Sequence, residues 1–167
     1  LKMNAGAFGG ETWDSVTEVD TIDRDATIRT RPKSDFDISY RHVEGARDEW
    51  FIAARFEFEQ GAEHSLERVK ALMQERQEKQ PLGLPSCGSV FRNPPGAFAA
   101  QLIESAELKG YRIGGAMVSD KHANFIINTG DATAADVERL IEHVRDVVAD
   151  KHGIHLDLEV HIVGETS

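Results

Sequence analysis

The chain has 167 residues, of which 29 are acidic and 19 are Lys or Arg, so its formal net charge is −10 with histidine neutral. This acidic balance argues against a nucleic-acid binder that tracks phosphates. The lack of an apolar run of about 18 residues argues against a membrane-spanning helix. A single cysteine, Cys87, excludes an internal disulfide framework. It is typical of a reducing cytosol, so we expect a cytoplasmic protein.

The N-terminal residues carry neither the charged start nor the apolar stretch of a signal peptide. The chain opens with Leu1 rather than with an initiator methionine, and glycine and alanine predominate as far as Gly10. A start of this kind is typical of the middle of a fold. We therefore expect a fragment, or a longer chain whose first part is not represented.

The first 60 residues are predicted to form mainly strands. Short β-type runs at 15–19 and 26–28 flank a turn at 23–25, and another short run leads from 36 to 41. Apolar side chains alternate from 50 to 58, which predicts a strand with one well-buried face. The residues on that face are Trp50, Ile52, Ala54, Phe56 and Phe58.

The period changes to a helical one after Gly61. Leucine, valine and methionine recur among charged residues from Leu66 onward. The helix should end near Lys79, because Pro81 disfavours helical geometry in the residue before it. The stretch that follows, 81–96, is the densest in glycine and proline, and such a stretch fixes backbone rather than filling a core.

The remaining residues mix helices and strands. We expect a short helix over 97–105, a strand over 122–128, a long amphipathic helix that begins at a capping box at 133–136, and a last strand within 154–167. Because strands and helices alternate without a regular βαβ repeat, the predicted class is α+β. The side chains expected to face inward from the short helix and the last strand are Phe98, Leu102, Ile103, Leu156, Leu158, Val160 and Ile162.

Two familiar chemistries find little support in the sequence. His152 and His155 straddle the end of a predicted helix, so their rings need not converge, and we expect no metal site. Ser89 is not in a G-x-S-x-G nucleophile elbow, and nothing in the sequence places His122 beside it. A Ser-His-Asp hydrolase is therefore disfavoured.

Four polar features remain, each with two interpretations. Residues 4–10 either form a tight turn or bring backbone N–H groups close to a planar or phosphorylated cofactor. The Ser89 hydroxyl, the Arg92 guanidinium and the Asn93 amide either contact a ligand or belong to a stretch that only closes a loop. Glu159 lines a cleft or faces bulk solvent, and Arg41 serves a site or is simply exposed.

Five blocks of the sequence, in order along nearly the whole chain, together resemble the UDP-N-acetylenolpyruvoylglucosamine reductase (MurB) family. Phe8, Cys87 and Arg92 stand where that family usually has Tyr, Ala and Lys, and Glu107 stands where it commonly has Gly. The blocks are 3–11 (resembling NAGAYGGE), 39–41 (YR), 80–94 (QPxxxPSAGSVFKNP), 109–128 (LKGxRxGGAxVSxKHANFIVN) and 158–165 (EVRIIGE).

The resemblance implies an enzyme that takes hydride from NADPH onto FAD and then reduces the enolpyruvyl ether of UDP-N-acetylglucosamine. The product would be UDP-N-acetylmuramate for peptidoglycan synthesis. It implies that Arg41 and Glu159 stabilise an enolic intermediate and that Ser89 protonates the neighbouring carbon. The implied binding residues are Asn4, Ala5, Gly6 and Gly9 for FAD, and Tyr40, Arg92 and Asn93 for the substrate.

The same resemblance implies a division of the chain by role. Residues 1–60 would be the end of an FAD-binding domain, 61–153 a substrate-binding domain, and 154–167 a returning strand that carries Glu159. The natural partner would be a flavin-binding region that precedes these residues. We expect the chain alone to bind FAD poorly, and stoichiometric flavin absorbance would contradict this.

Two hypotheses of other classes stay open. The chain could be a non-catalytic nucleotide-sugar binding module, or a structural domain that binds no ligand. Titration with UDP-N-acetylglucosamine separates them, since only the module would bind it without flavin.

Overall fold

The computed structural model describes residues 1–60 and 66–164. The chain divides into two compact units, Leu1–Leu72 and Met73–Ser167. The domain boundary expected at 60–61 borders residues outside the described part, as does the end of the predicted last strand. No helix in the described ranges has the length and apolar character that crossing a bilayer requires.

The first unit is built on a three-stranded antiparallel sheet in which Val16–Asp23 lies between Ile28–Pro32 and Glu49–Phe56. Two short two-stranded pairs complete its strands. Two short 3-10 helices, Thr12–Asp14 and Lys33–Asp35, connect these strands. Trp13, Phe36 and Phe51 pack their rings together in its core, with centroids 5.0–5.9 Å apart. The strands are β1 (Gly6–Ala7), β2 (Gly10–Glu11), β3 (Val16–Asp23), β4 (Ile28–Pro32), β5 (Asp37–Ser39), β6 (His42–Glu44) and β7 (Glu49–Phe56).

The turn predicted at 23–25 is confirmed, and its hydrogen bonds explain it. The Asp23 carboxylate accepts from the backbone N–H groups of Asp25 and Thr27 at 3.0 and 2.9 Å, so the side chain stands in for a backbone acceptor. The strand before the turn is longer than its apolar pattern indicated, because β3 has strand neighbours on both sides along its length.

The predicted strand over 50–58 exists as β7, but the expected well-buried face is wrong. The pairing of β7 with β3 skips Ile52, which makes a β-bulge. Phe51 and Ala54, three residues apart, therefore both pack on the core. Trp50 and Phe56 are left 53% and 47% exposed.

The helix predicted from Leu66 to Lys79 is confirmed as α1 (Leu66–Lys79), and the boundary between the two units falls inside it. Its C-terminal turn closes with the Gln80 N–H on the Arg76 carbonyl at 2.9 Å. Its apolar stripe is not buried within the described residues, and Val69 is 54% exposed.

The second unit has a four-stranded antiparallel sheet whose strands lie in the order Ser86–Ser89, Phe125–Asn128, Ala116–Val118 and Arg112–Ile113. Two helices pack with this sheet around a core of aliphatic side chains that includes Ile103, Val118, Leu140 and Leu156. Its elements are β8 (Ser86–Ser89), α2 (Ala99–Ser105), β9 (Arg112–Ile113), β10 (Ala116–Val118), β11 (Phe125–Asn128) and α3 (Ala134–His152).

The long helix α3 follows the sequence prediction at both ends. Thr133 and Asp136 form the expected capping box, and Gly153 ends the helix in the left-handed conformation at φ 66°. Its predicted apolar stripe is confirmed, with Leu140 and Val144 almost fully buried.

The short helix predicted over 97–105 begins two residues later. Phe98 occupies its N-cap with an extended backbone, φ −111° and ψ 124°. Its side chain therefore lies outside the helical turn and is 60% exposed, which corrects the expectation that it faces inward. Ile103 is fully buried as predicted.

The strand predicted over 122–128 is shorter than expected. The Ser119 hydroxyl accepts from the backbone N–H groups of Lys121 and His122, and the Phe125 N–H bonds to the His122 carbonyl at 3.0 Å. These local bonds hold the first three residues in a turn, so the strand begins at Phe125.

Over its described residues, 154–164, the last predicted strand is reduced to one bridge pair, Phe91 with Leu158. The N–H groups of Glu159 and Val160 both donate to the carbonyl of Val90, at 2.8 and 3.4 Å. Two residues then oppose one, which interrupts a regular ladder.

Candidate active site

Ser89 stands at the end of β8, directly after an irregularity in the sheet. β8 pairs with β11 at Ser89–Phe125 and at Ser86–Ile127, so three steps on β8 span two on β11. Gly88 takes up the extra residue in the left-handed region at φ 81°, which glycine adopts without strain. Because a bulge redirects the side chain that follows it, this local geometry sets how Ser89 is presented.

Glu159 comes from a segment about 70 residues later along the chain and lies beside the same backbone. Its N–H donates to the Val90 carbonyl at 2.8 Å, and Val90 is the residue after Ser89. One step further, the Arg92 N–H donates to the Asp157 carbonyl at 2.8 Å. The second unit therefore brings Ser89 and Glu159 together on two adjacent extended segments.

Arg41 belongs to the first unit, where it meets the glycine-rich N-terminal block. Its guanidinium Nη1 lies 3.3 Å from the Asn4 carbonyl and 3.4 Å from Glu11 Oε1. A Cβ at Gly6 would lie 2.7 Å from the Gly10 carbonyl and 3.1 Å from the Arg41 Nη1. Only glycine fits there, so the two sequence blocks are packed together. The convergence of Arg41 with Ser89 and Glu159 stays a prediction.

The N-terminal block itself is a tight hairpin organised by Asn4. That side chain is buried, donates to Glu11 Oε2 at 2.7 Å and to the Ser39 carbonyl at 3.2 Å, and accepts from the Trp13 N–H at 3.1 Å. The turn between β1 and β2 has positive φ at both central residues, Phe8 and Gly9, as a type I′ turn requires. Asn4 therefore shapes the loop with its side chain, while Ala5 and Gly9 are exposed.

The predicted substrate residues lie on both units. Tyr40 stacks under the Arg41 guanidinium at 4.9 Å in the first unit. In the second, the Asn93 Oδ1 accepts from the Ala99 N–H at 3.0 Å and so caps α2. Arg92 is half-buried, and among the described residues its Nε has no hydrogen-bond partner. A buried cationic donor in this condition is suited to an anionic ligand group.

His122, weighed above as a possible catalytic base, has a different role in the turn before β11. Its Nδ1 accepts the backbone N–H of Asn124 at 3.3 Å. Burial is the main cause that lowers its pKa, so the ring is neutral near pH 7 with its proton on Nε2. Nothing in this arrangement makes it a partner for Ser89.

Sequence reasoning missed Asn124. It is 4% exposed, and its amide makes two hydrogen bonds to the backbone of Phe91. The signal available in the sequence was an amide within an apolar run, between Ala123 and Phe125. Such a side chain is buried only when it is fully hydrogen-bonded, so it marks a specific contact.

The second unit is a small α+β domain, the class that the sequence predicted. It carries the Ser89 hydroxyl and the Glu159 carboxylate on two neighbouring segments. Residues 80–163 match the family model of the C-terminal domain of UDP-N-acetylenolpyruvoylglucosamine reductase. The chain therefore belongs to the UDP-N-acetylenolpyruvoylglucosamine reductase family.

Similar proteins extend the match beyond that domain. The chain is 60% identical to the UDP-N-acetylenolpyruvoylglucosamine reductase of Alkalilimnicola ehrlichii over 99% of its own length and 56% of that protein. It is 56% identical to the reductase of Methylococcus capsulatus, over 99% of this chain and 55% of that protein. The chain thus spans about half the length of these curated relatives.

A solved structure gives the same result for the fold. The crystal structure of the Thermus caldophilus UDP-N-acetylenolpyruvylglucosamine reductase (MurB) matches with a TM-score of 0.81 and 33% identity. The match covers 96% of this chain and 57% of that one.

Proposed function

We propose that this chain is the part of a UDP-N-acetylenolpyruvoylglucosamine reductase that binds the substrate and completes the flavin site. The proposed reaction reduces UDP-N-acetylenolpyruvoylglucosamine to UDP-N-acetylmuramate for peptidoglycan synthesis in the cytoplasm, with FAD and NADPH. One observation supports the proposal above all: Ser89 directly precedes Val90 in the chain, and the Glu159 N–H donates to the Val90 carbonyl. All three residues lie inside the segment that matches the family model.

FAD, reduced by NADPH, would supply the hydride to the methylene carbon of the enolpyruvyl group. Formation of the new C–H bond would leave an electron pair on the neighbouring carbon, delocalised into the substrate carboxylate as an enolate. Arg41 and Glu159 would stabilise that developing charge, an effect that is largest when water is excluded. Glu159 contributes in this way as a hydrogen-bonded or protonated group.

Ser89 would complete the reaction by donating its proton to the enolate carbon. A serine hydroxyl is a very weak acid at neutral pH, but an enolate carbon is a strong base, and a general acid need only be matched to its acceptor. Ser89 belongs to a paired strand that follows a bulge, rather than to an unpaired loop. A residue held in a sheet favours the fixed orientation that proton transfer needs.

The first unit offers FAD a backbone cradle rather than charged side chains. Ala5, Gly6 and Gly9 would present main-chain groups, and Asn4 would hold the loop through its three internal hydrogen bonds. Apart from its chain neighbours, no described atom lies within 4 Å of where a Cβ at Gly9 would stand, so the hairpin tip is open to a ligand.

The substrate would be held by Tyr40, Arg92 and Asn93. The unpartnered Nε of Arg92 supports contact with a phosphate, because a guanidinium binds phosphate oxygens with directed hydrogen bonds. We further propose the division by role at 1–60, 61–153 and 154–167, with a flavin-binding half of the reductase as the partner. The relatives are nearly twice as long as this chain, which supports the proposal of such a partner half.

Ser89→Ala tests the proposal in the flavin-loaded, full-length reductase. We expect flavin reduction by NADPH to keep its rate and substrate reduction to be abolished, because only the second half-reaction needs the proton. Ser86→Ala, at the other end of β8 and exposed, is the matched control and should leave both rates unchanged. Equal loss of both half-reactions in Ser89→Ala would refute the role assigned to Ser89.

A further inference from the structure

We propose that Asn124 is the positioning residue of this site. It fixes the backbone from Val90 to Phe91, and through that backbone it sets Ser89 against Glu159. This inference rests on the proposed function.

Asn124 holds the segment after Ser89 with three hydrogen bonds. Its carbonyl accepts the Val90 N–H at 2.9 Å. Its side-chain Oδ1 accepts the Phe91 N–H at 3.0 Å, and its Nδ2 donates to the Phe91 carbonyl at 2.8 Å. One residue thus satisfies three of the four backbone N–H and carbonyl groups of Val90 and Phe91, where β8 has ended and β11 has not yet begun.

The Val90 carbonyl, the fourth backbone group of Val90 and Phe91, is bonded to the segment that carries Glu159 rather than to Asn124. The Val90 carbonyl accepts from the N–H of Glu159 at 2.8 Å, and Phe91 pairs with Leu158. Val90 and Phe91 are 0% and 2% exposed, so water cannot replace a lost hydrogen bond there. A shift of this backbone would therefore move Ser89 and Glu159 relative to each other.

The chemistry of the contact demands an amide at position 124. Phe91 presents one donor and one acceptor, and an asparagine side chain offers one of each at the matching separation. A carboxylate at 124 would accept from the N–H but would set a second acceptor against the Phe91 carbonyl. Once protonated, the same side chain would donate and restore both bonds. Asn124→Asp therefore converts the clamp into one that depends on pH.

Asn128→Asp is the matched control. The Oδ1 of Asn128 accepts from the N–H groups of Gly130 and Ala132 at 2.8 and 3.1 Å. A carboxylate keeps both of these bonds, because no donor is needed at position 128. The control therefore makes the same chemical change four residues further along the chain, at the end of β11.

The test measures both half-reactions of the flavin-loaded, full-length reductase from pH 5.5 to 8.5, each as a ratio to the unsubstituted enzyme. The ratio corrects for pH effects that both proteins share. The ionisable side chains on the segments around this contact are His122, whose Nδ1 accepts the Asn124 backbone N–H, and Asp157 and Glu159 across from it. For Asn124→Asp we expect substrate reduction to be roughly 10- to 100-fold slower at pH 8.5, the order reported for slight misplacement of reacting groups. It should recover toward pH 5.5, while flavin reduction by NADPH stays unchanged throughout.

Three results would overturn the proposal: a ratio near one at every pH, a reduced ratio that does not change with pH, or equal loss in both half-reactions, which would indicate general loss of structure. An unsubstituted enzyme that reduces its flavin but not the substrate would instead refute the proposed function.

Amide hydrogen exchange in the unsubstituted 167-residue chain is a second measurement that needs neither activity nor a folded variant. We expect the Phe91 amide to be protected to the same degree as those of β11. Exchange as fast as that of an exposed loop would refute the clamp.

Discussion

Glu107 stores backbone strain that a single substitution should release. It follows α2 with φ 60°, in the left-handed region that residues with a Cβ rarely adopt. The Glu107 N–H bonds to the Glu104 carbonyl at 2.9 Å and the Leu108 N–H to the Ile103 carbonyl at 3.3 Å. This is the Schellman arrangement, whose left-handed position is usually glycine, as the family resemblance also implied.

We expect Glu107→Gly to stabilise the protein by about 0.5–1 kcal/mol. The left-handed conformation costs an L-residue about 1–2 kcal/mol. Glycine removes that cost but loses roughly 0.5–1 kcal/mol through the greater freedom of the unfolded chain. Glu107 is exposed and Ile103 with Leu108 forms the accompanying apolar contact, so no packing is lost.

Urea unfolding followed by circular dichroism measures the effect, with the midpoint expected to rise by roughly 0.2–1 M for a slope of about 1–3 kcal/mol/M. Glu142→Gly is the control, since Glu142 is exposed in the middle of α3, where glycine should destabilise by about 1 kcal/mol. A midpoint that falls in both variants would refute the assignment of strain to Glu107.

Two further predictions concern the start of α3. Contacts with the Thr133 N–H and hydroxyl and with the Arg139 guanidinium lower the pKa of Asp136 to about 2. The stability that this carboxylate contributes is therefore complete above about pH 4 and is lost as the pH falls through 2. Asp136→Asn should be less stable at pH 6 and should lose part of the fall in stability between pH 4 and 2 in unfolding curves, and an unchanged fall over that range would contradict this. A Cβ at Gly115 would lie 2.3 Å from the Ala132 backbone nitrogen, so Gly115→Ala should lower stability by about 1–3 kcal/mol. Gly10→Ala, with its nearest contact at 3.7 Å, should have little effect, and equal unfolding midpoints for the two variants would show that the close approach is relieved without cost.

Local chemistry in the sequence determined the helices, the turn at Asp23 and the α+β class. Thr133 with Asp136 and Gly153 fixed both ends of α3, since caps act within one turn of the helix. The ordered motif blocks predicted the family, and the comparisons confirmed it.

Tertiary structure alone decided what depends on contacts between distant residues. The bulge at Ile52 turned Phe51 rather than Trp50 toward the core of the first unit. The shared hydrogen bonds at Val90 left one bridge pair in the described part of the last predicted strand. A bulge adds one residue to a strand without changing its composition, so a period of two in the sequence cannot reveal it.

The candidate site divides in the same way. Residue types and motif order singled out Ser89 and Glu159, but the hydrogen bonds that make them neighbours link segments far apart in the chain. Asn124 reaches Phe91 across 33 residues, and its role follows only from the buried donor and acceptor that it meets there. The sequence could indicate which groups are chemically able to act, whereas the fold determines which of them lie together.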